Sequence, residues 1–298
     1  MHRLWDTARR RIRRPSGNLG PENAAGVLDA GSIMRSVVRR PAVAGAFYPR
    51  DATALTEMLR GYLKATVLTT SGGSVPKAII VPHAGYVYSG PVAASAYARV
   101  AAGRGRLHRV VILGPAHFVA LDKIAASSAD GFSTPLGVLE VDSASRDALV
   151  DDDLVTVSDP AHSAEHSLEV QLPFLQFVLG PVNVLPLVIG AVSTTAVEEL
   201  LDRVWGGRET LVVVSTDLSH YRNRETAERL DRRTASAIVG RRPEEVAIGD
   251  ACGVFALRGL LAVSVKPDME VELLDLRTSA DTAGEPERVV GYGAFAFT

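Results

Sequence analysis

Four short apolar runs constrain the fold of this chain more than any other feature. Each run is rich in Val, Ile and Leu and is apolar on both of the faces that a β-strand would present; the runs cover residues 78–81, 110–113, 184–189 and 211–214. Such strands are typical of a largely parallel sheet that is covered by helices on both sides. The longer amphipathic stretches predict helices at 51–64, 89–101, 164–179, 194–204 and 225–239. The sequence therefore predicts an α/β fold with a central, largely parallel or mixed sheet flanked by helices.

The two ends of the chain lead to different expectations. Residues 271–276 and 289–297 predict two strands of a closing hairpin. Nothing in the remainder resembles a linker, so we expect residues 36–298 to form a single domain. The first 35 residues combine clustered arginines with a Pro- and Gly-rich stretch, and we expect a disordered basic tail there. Met34 is an alternative translation start that would remove this tail.

Composition excludes several classes of function. The net charge of −2 gives no electrostatic reason to expect a nucleic-acid or anionic-membrane partner. No apolar run reaches the roughly 18 residues that a membrane-spanning helix needs. The single cysteine cannot form an internal disulfide, so we expect a cytoplasmic protein whose thiol is free for other chemistry.

Three histidines follow three of the predicted strands. His83 comes two residues after the run 78–81, His117 follows the run 110–113, and His220 follows the run 211–214. Ligands of open α/β sheets bind outside the carboxyl ends of the strands, so we expect these imidazoles to converge. Convergent imidazoles indicate a metal site. The plainer interpretation is that each histidine makes its own local hydrogen bond in a loop.

Cys252 admits two interpretations. It precedes a mostly apolar stretch at 254–263 that predicts a buried helix. A lone cysteine is usually a small core residue. At the start of a helix, however, the positive end of the helix dipole favours the thiolate, which is the metal-binding form of the side chain.

A second histidine pattern supports a rival hypothesis. His162, Glu165 and His166 match the H-x-x-E-H arrangement of zinc peptidases, in which two histidines bind zinc and the glutamate is the general base. Pro160 and a predicted N-cap at Ser163 argue against it, because they would leave His162 outside the helix. In that case Glu165, His166 and Glu169 lie on a solvated first helical turn, unless His166 points into the crevice.

Several segments together resemble the Memo family, which is also called AmmeMemoRadiSam system protein B. The match runs in order from about residue 38 to the C-terminus, and its segments lie at 45–49, 82–90, 114–117, 165–169, 215–220 and 252–253. The family is similar in fold to the LigB-type class III extradiol ring-cleaving dioxygenases. The resemblance thus implies a LigB-like α/β domain, in agreement with the strand and helix pattern.

The resemblance also implies a ligand set. In Memo proteins the corresponding histidines and cysteine bind iron or copper, which here implies that His83, His117 and Cys252 hold one metal ion. Asp217 and His220 match a polar pair in the same pocket, with His220 the candidate general acid or base and Asp217 either orienting it or supporting a metal ligand. We also expect the side chains of Phe47, Tyr86 and His166 to line that pocket.

These expectations lead to a function with open alternatives. The main hypothesis is a metal-binding oxidoreductase that uses iron or copper, with zinc as a further candidate, on an unidentified substrate. A thiolate in place of a carboxylate ligand separates it from the ring-cleaving enzymes. The alternative is a non-enzymatic module that uses the cleft to bind a peptide or protein. The family name also predicts a pathway shared with radical-SAM and AMMECR-type proteins.

Overall fold

The four apolar runs form the centre of one large mixed sheet. The computed structural model describes residues 36–67 and 74–298. Their strands are β1 (Val38–Arg39), β2 (Ala78–Val81), β3 (Arg109–Pro115), β4 (Ile124–Ala126), β5 (Gly131–Thr134), β6 (Gly137–Glu140), β7 (Thr156–Val157), β8 (Asn183–Ile189), β9 (Thr210–Ser215), β10 (His220–Arg222), β11 (Val271–Thr278) and β12 (Val289–Phe297). Their α-helices are α1 (Ala52–Val67), α2 (Tyr86–Val100), α3 (Ser143–Asp151), α4 (Asp159–Ser163), α5 (Leu172–Leu179), α6 (Thr194–Val204), α7 (Arg224–Val239) and α8 (Val254–Val265).

The order of strands brings four parallel strand ends to one edge. The large sheet has the order β10-β12-β2-β9-β3-β8-β4-β7, with β11 paired to β12. Strands β2, β9, β3 and β8 are mutually parallel, whereas β12 and β4 flank them in antiparallel pairing. In register, Val81 pairs with Ser215 and Pro115 pairs with Ile189. The loops that follow these residues therefore leave the sheet side by side.

Alternate residues of the central strands build two apolar layers. Ile79 and Val213 are completely buried among the residues of α1, α2 and α5, whereas Ile80 and Val212 are completely buried among those of α6, α7 and α8. Burial of each such side chain is worth about 1.5–3 kcal/mol, so the layers hold the strands in a fixed register. The result is a rigid platform beneath the loops at the carboxyl edge.

The prediction of the fold class is confirmed, and several elements lie at the predicted positions. Strands β2 and β12 and helix α6 have the bounds that the sequence predicted, and the predicted closing hairpin is present as β11 and β12. Sequence analysis missed a small separate sheet of order β1-β5-β6 and the short strands β4, β7 and β10. The predicted disordered tail and the alternative start at Met34 lie outside the described residues.

The predicted helix at 164–179 is wrong in its first half. Ser163 is the last residue of α4 rather than an N-cap, and His162 lies inside that helix. The chain then turns through 164–168 before a single 3₁₀ turn at Glu169–Gln171 and helix α5. Pro173 occupies the first turn of α5, where a missing N–H costs nothing, so this proline marks a helix start.

No helix within the described ranges combines the length and the apolar character that a bilayer-spanning segment needs.

Candidate metal centre

Side chains from two strand ends and one turn meet at the carboxyl edge of the sheet. His83 follows β2, His117 follows β3, and His166 comes from the turn between α4 and α5. One ligand atom from each of these three histidines lies within 4.8 Å of the others. Their ring centroids are 4.6 Å apart for His117 and His166 and 5.2 Å apart for His83 and His117. The three imidazoles therefore form a group that is able to hold one metal ion.

The hydrogen bonds of His83 decide which ring nitrogen is free. Its Nδ1 lies 3.0 Å from the hydroxyl of Ser215, and that hydroxyl donates its one proton to the carbonyl of Ser167 at 2.6 Å. The hydroxyl of Ser215 must therefore accept a hydrogen bond from the Nδ1–H of His83. Burial, reinforced by the neighbouring histidines, holds the pKa of His83 well below its usual value. Neutral His83 then presents a bare Nε2, which is the form that binds metal.

His117 is oriented in the same way by a carboxylate. Its Nδ1 lies 2.9 Å from Oε1 of Glu165, and its backbone N–H donates to Oε2 of the same residue at 2.7 Å. Burial would raise the pKa of Glu165, but these donors and the backbone N–H of Ser167 lower it to about 2. Glu165 is thus an anion that fixes the Nδ1–H tautomer of His117 and leaves Nε2 for a ligand. This is the usual arrangement around metal-binding histidines.

His166 completes the group and lacks a hydrogen bond of its own. Its Nδ1 is buried, makes no hydrogen bond among the described residues, and lies 3.5 Å from Oε1 of Glu165. Burial, with the nearby His117, lowers the pKa of His166 to about 4, so its ring is neutral near pH 7. A buried, neutral nitrogen without a donor or acceptor is uncommon unless an ion or a ligand satisfies it.

Cys252 contacts the ring of His83. Its Sγ is 3.2 Å from Nε2 of His83 and 3.2 Å from the backbone N–H of Asp217. Burial, together with the charge of Asp217, raises the pKa of the Cys252 thiol to about 12. A metal ion at Nε2 of His83 would have to displace the thiol proton in order to use this sulfur.

The side chain of Asp217 is positioned by a backbone hydrogen bond rather than by a cation. Its Oδ1 accepts the backbone N–H of His83 at 2.8 Å, and its side chain is 5% exposed. Burial raises the pKa of Asp217 to about 7 in spite of that donor. Asp217 therefore links the loops that carry His83 and Cys252.

The other predicted site residues occupy three different surroundings. The ring of Phe47 lies 4.8 Å from that of His166, at the edge of the group. His220 donates from Nδ1 to the carbonyl of Leu218 and is not a member of the three-histidine group. Tyr86 is 2% exposed, packs in the core against Phe174, and donates its hydroxyl proton to the carbonyl of Val170 at 2.6 Å.

The structure does not support the H-x-x-E-H peptidase hypothesis. His162 and His166 do not share a helix, because α4 ends at Ser163. His162 is 1% exposed and donates from Nε2 to the carbonyl of Ala125, away from the three-histidine group. The expectation of a solvated first helical turn is also wrong, since Glu165 and Glu169 are 2% and 0% exposed.

Sequence analysis missed the residues that hold the histidines in place. Ser215 and Ser167 orient His83, and Glu165 orients His117, yet serines in loops give no signal of such a role. The sequence patterns assign Glu165 to the peptidase motif or to a solvated turn and not to the orientation of His117. A carboxylate adjacent to a candidate ligand was the one available signal.

The set of donors fits a transition metal better than Mg²⁺ or Ca²⁺. It offers imidazole nitrogens, with a thiol sulfur beside them, whereas those harder ions prefer oxygen ligands. Two nitrogens already have the protonation state that coordination needs, and the buried Nδ1 of His166 lacks a partner among the described residues. The group as built therefore fits an ion of the iron, copper or zinc type.

Comparison with known proteins shows the family to which the domain belongs. The family model for Memo-like proteins matches residues 39–296. This chain belongs to the Memo family. It is 36% identical to a MEMO1 family protein of Methanopyrus kandleri over 87% of this chain and 98% of that protein. It is also 35% identical to a MEMO1 family protein of Aquifex aeolicus, over 87% of this chain and 99% of the relative.

The match to the Memo family model covers the whole candidate centre. The matched range includes the three histidines, Cys252, and the buried groups that orient them. The names of these relatives give the family and no reaction. The chemistry of this Memo protein therefore depends on what its own residues can do.

Proposed function

We propose that this Memo protein is a redox-active metal protein that binds one iron or copper ion through His83, His117 and Cys252. One observation carries the proposal: the bare Nε2 of His83 lies 3.2 Å from the sulfur of Cys252. His83 also belongs to the same histidine group as His117. Zinc also accepts this set of donors, but iron and copper supply the electron transfer that an oxidoreductase needs. His166 is the competing third ligand.

The protein's own residues have distinct tasks in this proposal. Ser215 and Glu165 hold the two imidazole ligands in one tautomer. Donation from Nδ1 of His220 to Leu218 leaves its Nε2 able to accept a proton, and burial lowers the pKa of His220. His220 is therefore the proposed general base, and it acts on an unidentified small molecule that binds beside the ion.

Metal analysis of purified variants tests the proposal. The protein and the variants His83→Ala, His117→Ala, His166→Ala and Cys252→Ser are each analysed for iron, copper and zinc. The matched control is His108→Ala, because His108 is exposed and precedes β3 at the opposite edge of the sheet. We expect the first two variants to lose metal by about tenfold or more, and the control to keep it. Unchanged metal content in all four site variants would refute the assignment.

The same variants distinguish the third ligand. If Cys252→Ser loses metal and His166→Ala keeps it, the ligand set is the one proposed. If the opposite is found, the ion is held by three histidines and the sulfur is a neighbour that does not bind it.

Oxygen uptake by the Fe(II) protein, prepared anaerobically and mixed with catechols and phenols, tests the reaction. No uptake with any of them removes a dioxygenase activity.

A second candidate function is a non-enzymatic peptide-binding cleft. Exposed aromatic rings favour it: Phe118 is 54% exposed with its ring 5.8 Å from that of His166, and Tyr221 is 64% exposed beside His220. This candidate predicts peptide binding that Phe118→Ser weakens while metal content stays unchanged.

A cytoplasmic location and a pathway shared with radical-SAM and AMMECR-type proteins remain predictions.

A further inference from the structure

A small apolar cavity adjoins the candidate metal centre on the side of Cys252. Its volume is about 190 Å³. Three segments line it: residues that follow β3, residues at the end of β8, and the start of α8. Cys252 belongs to this lining, and its sulfur lies 3.2 Å from Nε2 of His83. The cavity and the histidine group thus share one residue.

The side chains that line the cavity are apolar almost throughout. They come from Pro, Ala, Val, Leu, Ile and Phe, with two glycines, and the Cys252 thiol is the one ionisable group among them. Placing a charged group in such surroundings without a partner is costly, whereas an apolar group gains from leaving water.

The walls of the cavity are held by the backbone. Ala191 donates its N–H to the carbonyl of Leu121 at 2.8 Å, and Gly190 donates to Lys123 at 3.0 Å. A Cβ on Gly190 would lie 2.3 Å from the carbonyl oxygen of Leu121, so this close approach requires glycine. The loop after β3 and the end of β8 are therefore fixed relative to each other, and the cavity is largely preformed.

The volume limits the size of an occupant. An apolar protein cavity of roughly 150 Å³ is large enough for one benzene molecule. The cavity of this protein is slightly larger, at about 190 Å³. It therefore accommodates an apolar group of about six to eight non-hydrogen atoms, and a fused two-ring group would extend beyond it.

We propose that this cavity is the specificity pocket of the centre and accepts the uncharged, apolar end of a small substrate, of the size of one six-membered ring. The inference rests on the proposed function in one respect, namely that the polar end of the substrate lies at the metal-binding histidines. Pockets of this kind, apolar with a few convergent polar groups at one end, are typical of small-molecule sites.

Binding of fluorinated probes to the metal-free protein tests the pocket by itself. ¹⁹F NMR titrations use fluorobenzene, 4-fluorobenzylammonium and 1-fluoronaphthalene. We expect fluorobenzene to bind with a Kd of about 1 mM and the other two probes to bind about tenfold more weakly or worse, because one is charged and the other is too large. Equal binding of the charged and uncharged probes would overturn the proposal.

Two substitutions locate the binding site. Ala191→Phe fills the cavity from an exposed position. The matched control is Ala65→Phe, at an exposed position of α1. We expect Ala191→Phe to weaken fluorobenzene binding about tenfold and the control to leave it unchanged. Phe255→Ala enlarges the cavity and is expected to improve binding of 1-fluoronaphthalene relative to fluorobenzene. Fluorobenzene binding that Ala191→Phe does not affect would refute the pocket.

A third measurement separates this inference from the proposed function. In the Zn(II)-loaded protein we expect 4-fluorophenol to bind about tenfold more tightly than fluorobenzene, because its hydroxyl reaches the centre. If the metal binds but Ala191→Phe has no effect on any probe, the pocket is wrong and the metal centre stands. If Ala191→Phe blocks fluorobenzene but no metal binds, the proposed function is wrong and the pocket stands.

Discussion

Glu165 and Glu169 are four residues apart, both are buried, and they stabilise different parts of the molecule. Glu165 accepts hydrogen bonds from the ring and the backbone of His117 and from the backbone of Ser167. Glu169 accepts hydrogen bonds from the backbone of Ala42 and Val43 and from the hydroxyl of Tyr48. The carboxylate of Glu165 orients a candidate ligand, and that of Glu169 attaches residues 39–48 to the rest of the domain.

The two histidines of the same segment differ in a similar way. His162 and His166 are both buried, both have a pKa lowered to about 4 with burial as the main cause, and both have an Nδ1 without a hydrogen bond in the described part of the chain. His162 nevertheless packs against Phe132 and bonds to Ala125, whereas His166 faces two other histidines. Burial and a lowered pKa therefore do not identify a ligand; the groups that face the side chain do.

Arg39 connects the two sets of residues. Its guanidinium pairs with the carboxylate of Glu169 and donates to the carbonyls of His162 and Glu165. The carbonyl of His162 lies at the end of α4, where it also accepts the backbone N–H of Glu165, and the carbonyl of Glu165 belongs to the turn that replaces the predicted helix. The arginine thus takes over backbone hydrogen bonds in the turn that places His166 at the centre.

The largest expected effect comes from Glu169→Gln. The glutamine would leave the guanidinium of buried Arg39 without its anion and would present an amide N–H to donors that now find an oxygen. We expect a loss of about 3–5 kcal/mol in the free energy of unfolding, which is typical of breaking a buried ion pair. Urea unfolding of the metal-free protein at pH 7 measures it, with exposed Glu140→Gln as the control. A loss similar to that of the control would mean that Glu169 contributes little to the fold.

Glu165→Gln is expected to act on the metal more than on the fold. Glutamine no longer supplies an anion that holds the Nδ1–H tautomer of His117, so we expect Zn(II) affinity to fall about 10- to 100-fold. The loss in unfolding free energy is expected to be smaller than for Glu169→Gln, about 1–2 kcal/mol. Chelator competition gives the affinity. If Glu165→Gln and Glu140→Gln bind Zn(II) equally well, Glu165 does not orient a ligand.

Much of the fold could be predicted because apolar pattern and strand burial are directly related. The runs at 78–81 and 211–214 are buried on both faces, and they indeed form central parallel strands. The strands that sequence analysis missed, such as β1 and β7, are two residues long and partly exposed, so they have no periodic pattern. Their place is set by pairing with distant strands, which a local pattern does not contain.

The candidate site could be predicted in part, for a related reason. The carboxyl-edge rule correctly brought His83 and His117 together, because parallel strands in register end at one edge. It did not predict that His166 joins them, because that depends on a turn at 164–168 that Arg39 stabilises from 126 residues away in the sequence. It also placed His220 at this edge; the ring of His220 bonds to its own loop and is not one of the three histidines that group together.

At pH 7 the smallest expected effect is that of His162, which changes the stability only as the pH falls. Burial lowers its pKa to about 4 in the folded protein, below the value near 6.5 of an unfolded chain. The unfolded state therefore binds a proton first, so the stability is complete above pH 6.5 and is lost as the pH falls towards 4. His162→Gln keeps a donor for Ala125 and removes the titration. Between pH 7 and pH 4 we expect the variant to lose about 2 kcal/mol less than the parent protein, as measured by urea unfolding of both metal-free proteins. Parallel pH profiles would show that His162 binds its proton equally well in the folded and unfolded states, and the contrast with His166 would then rest on geometry alone.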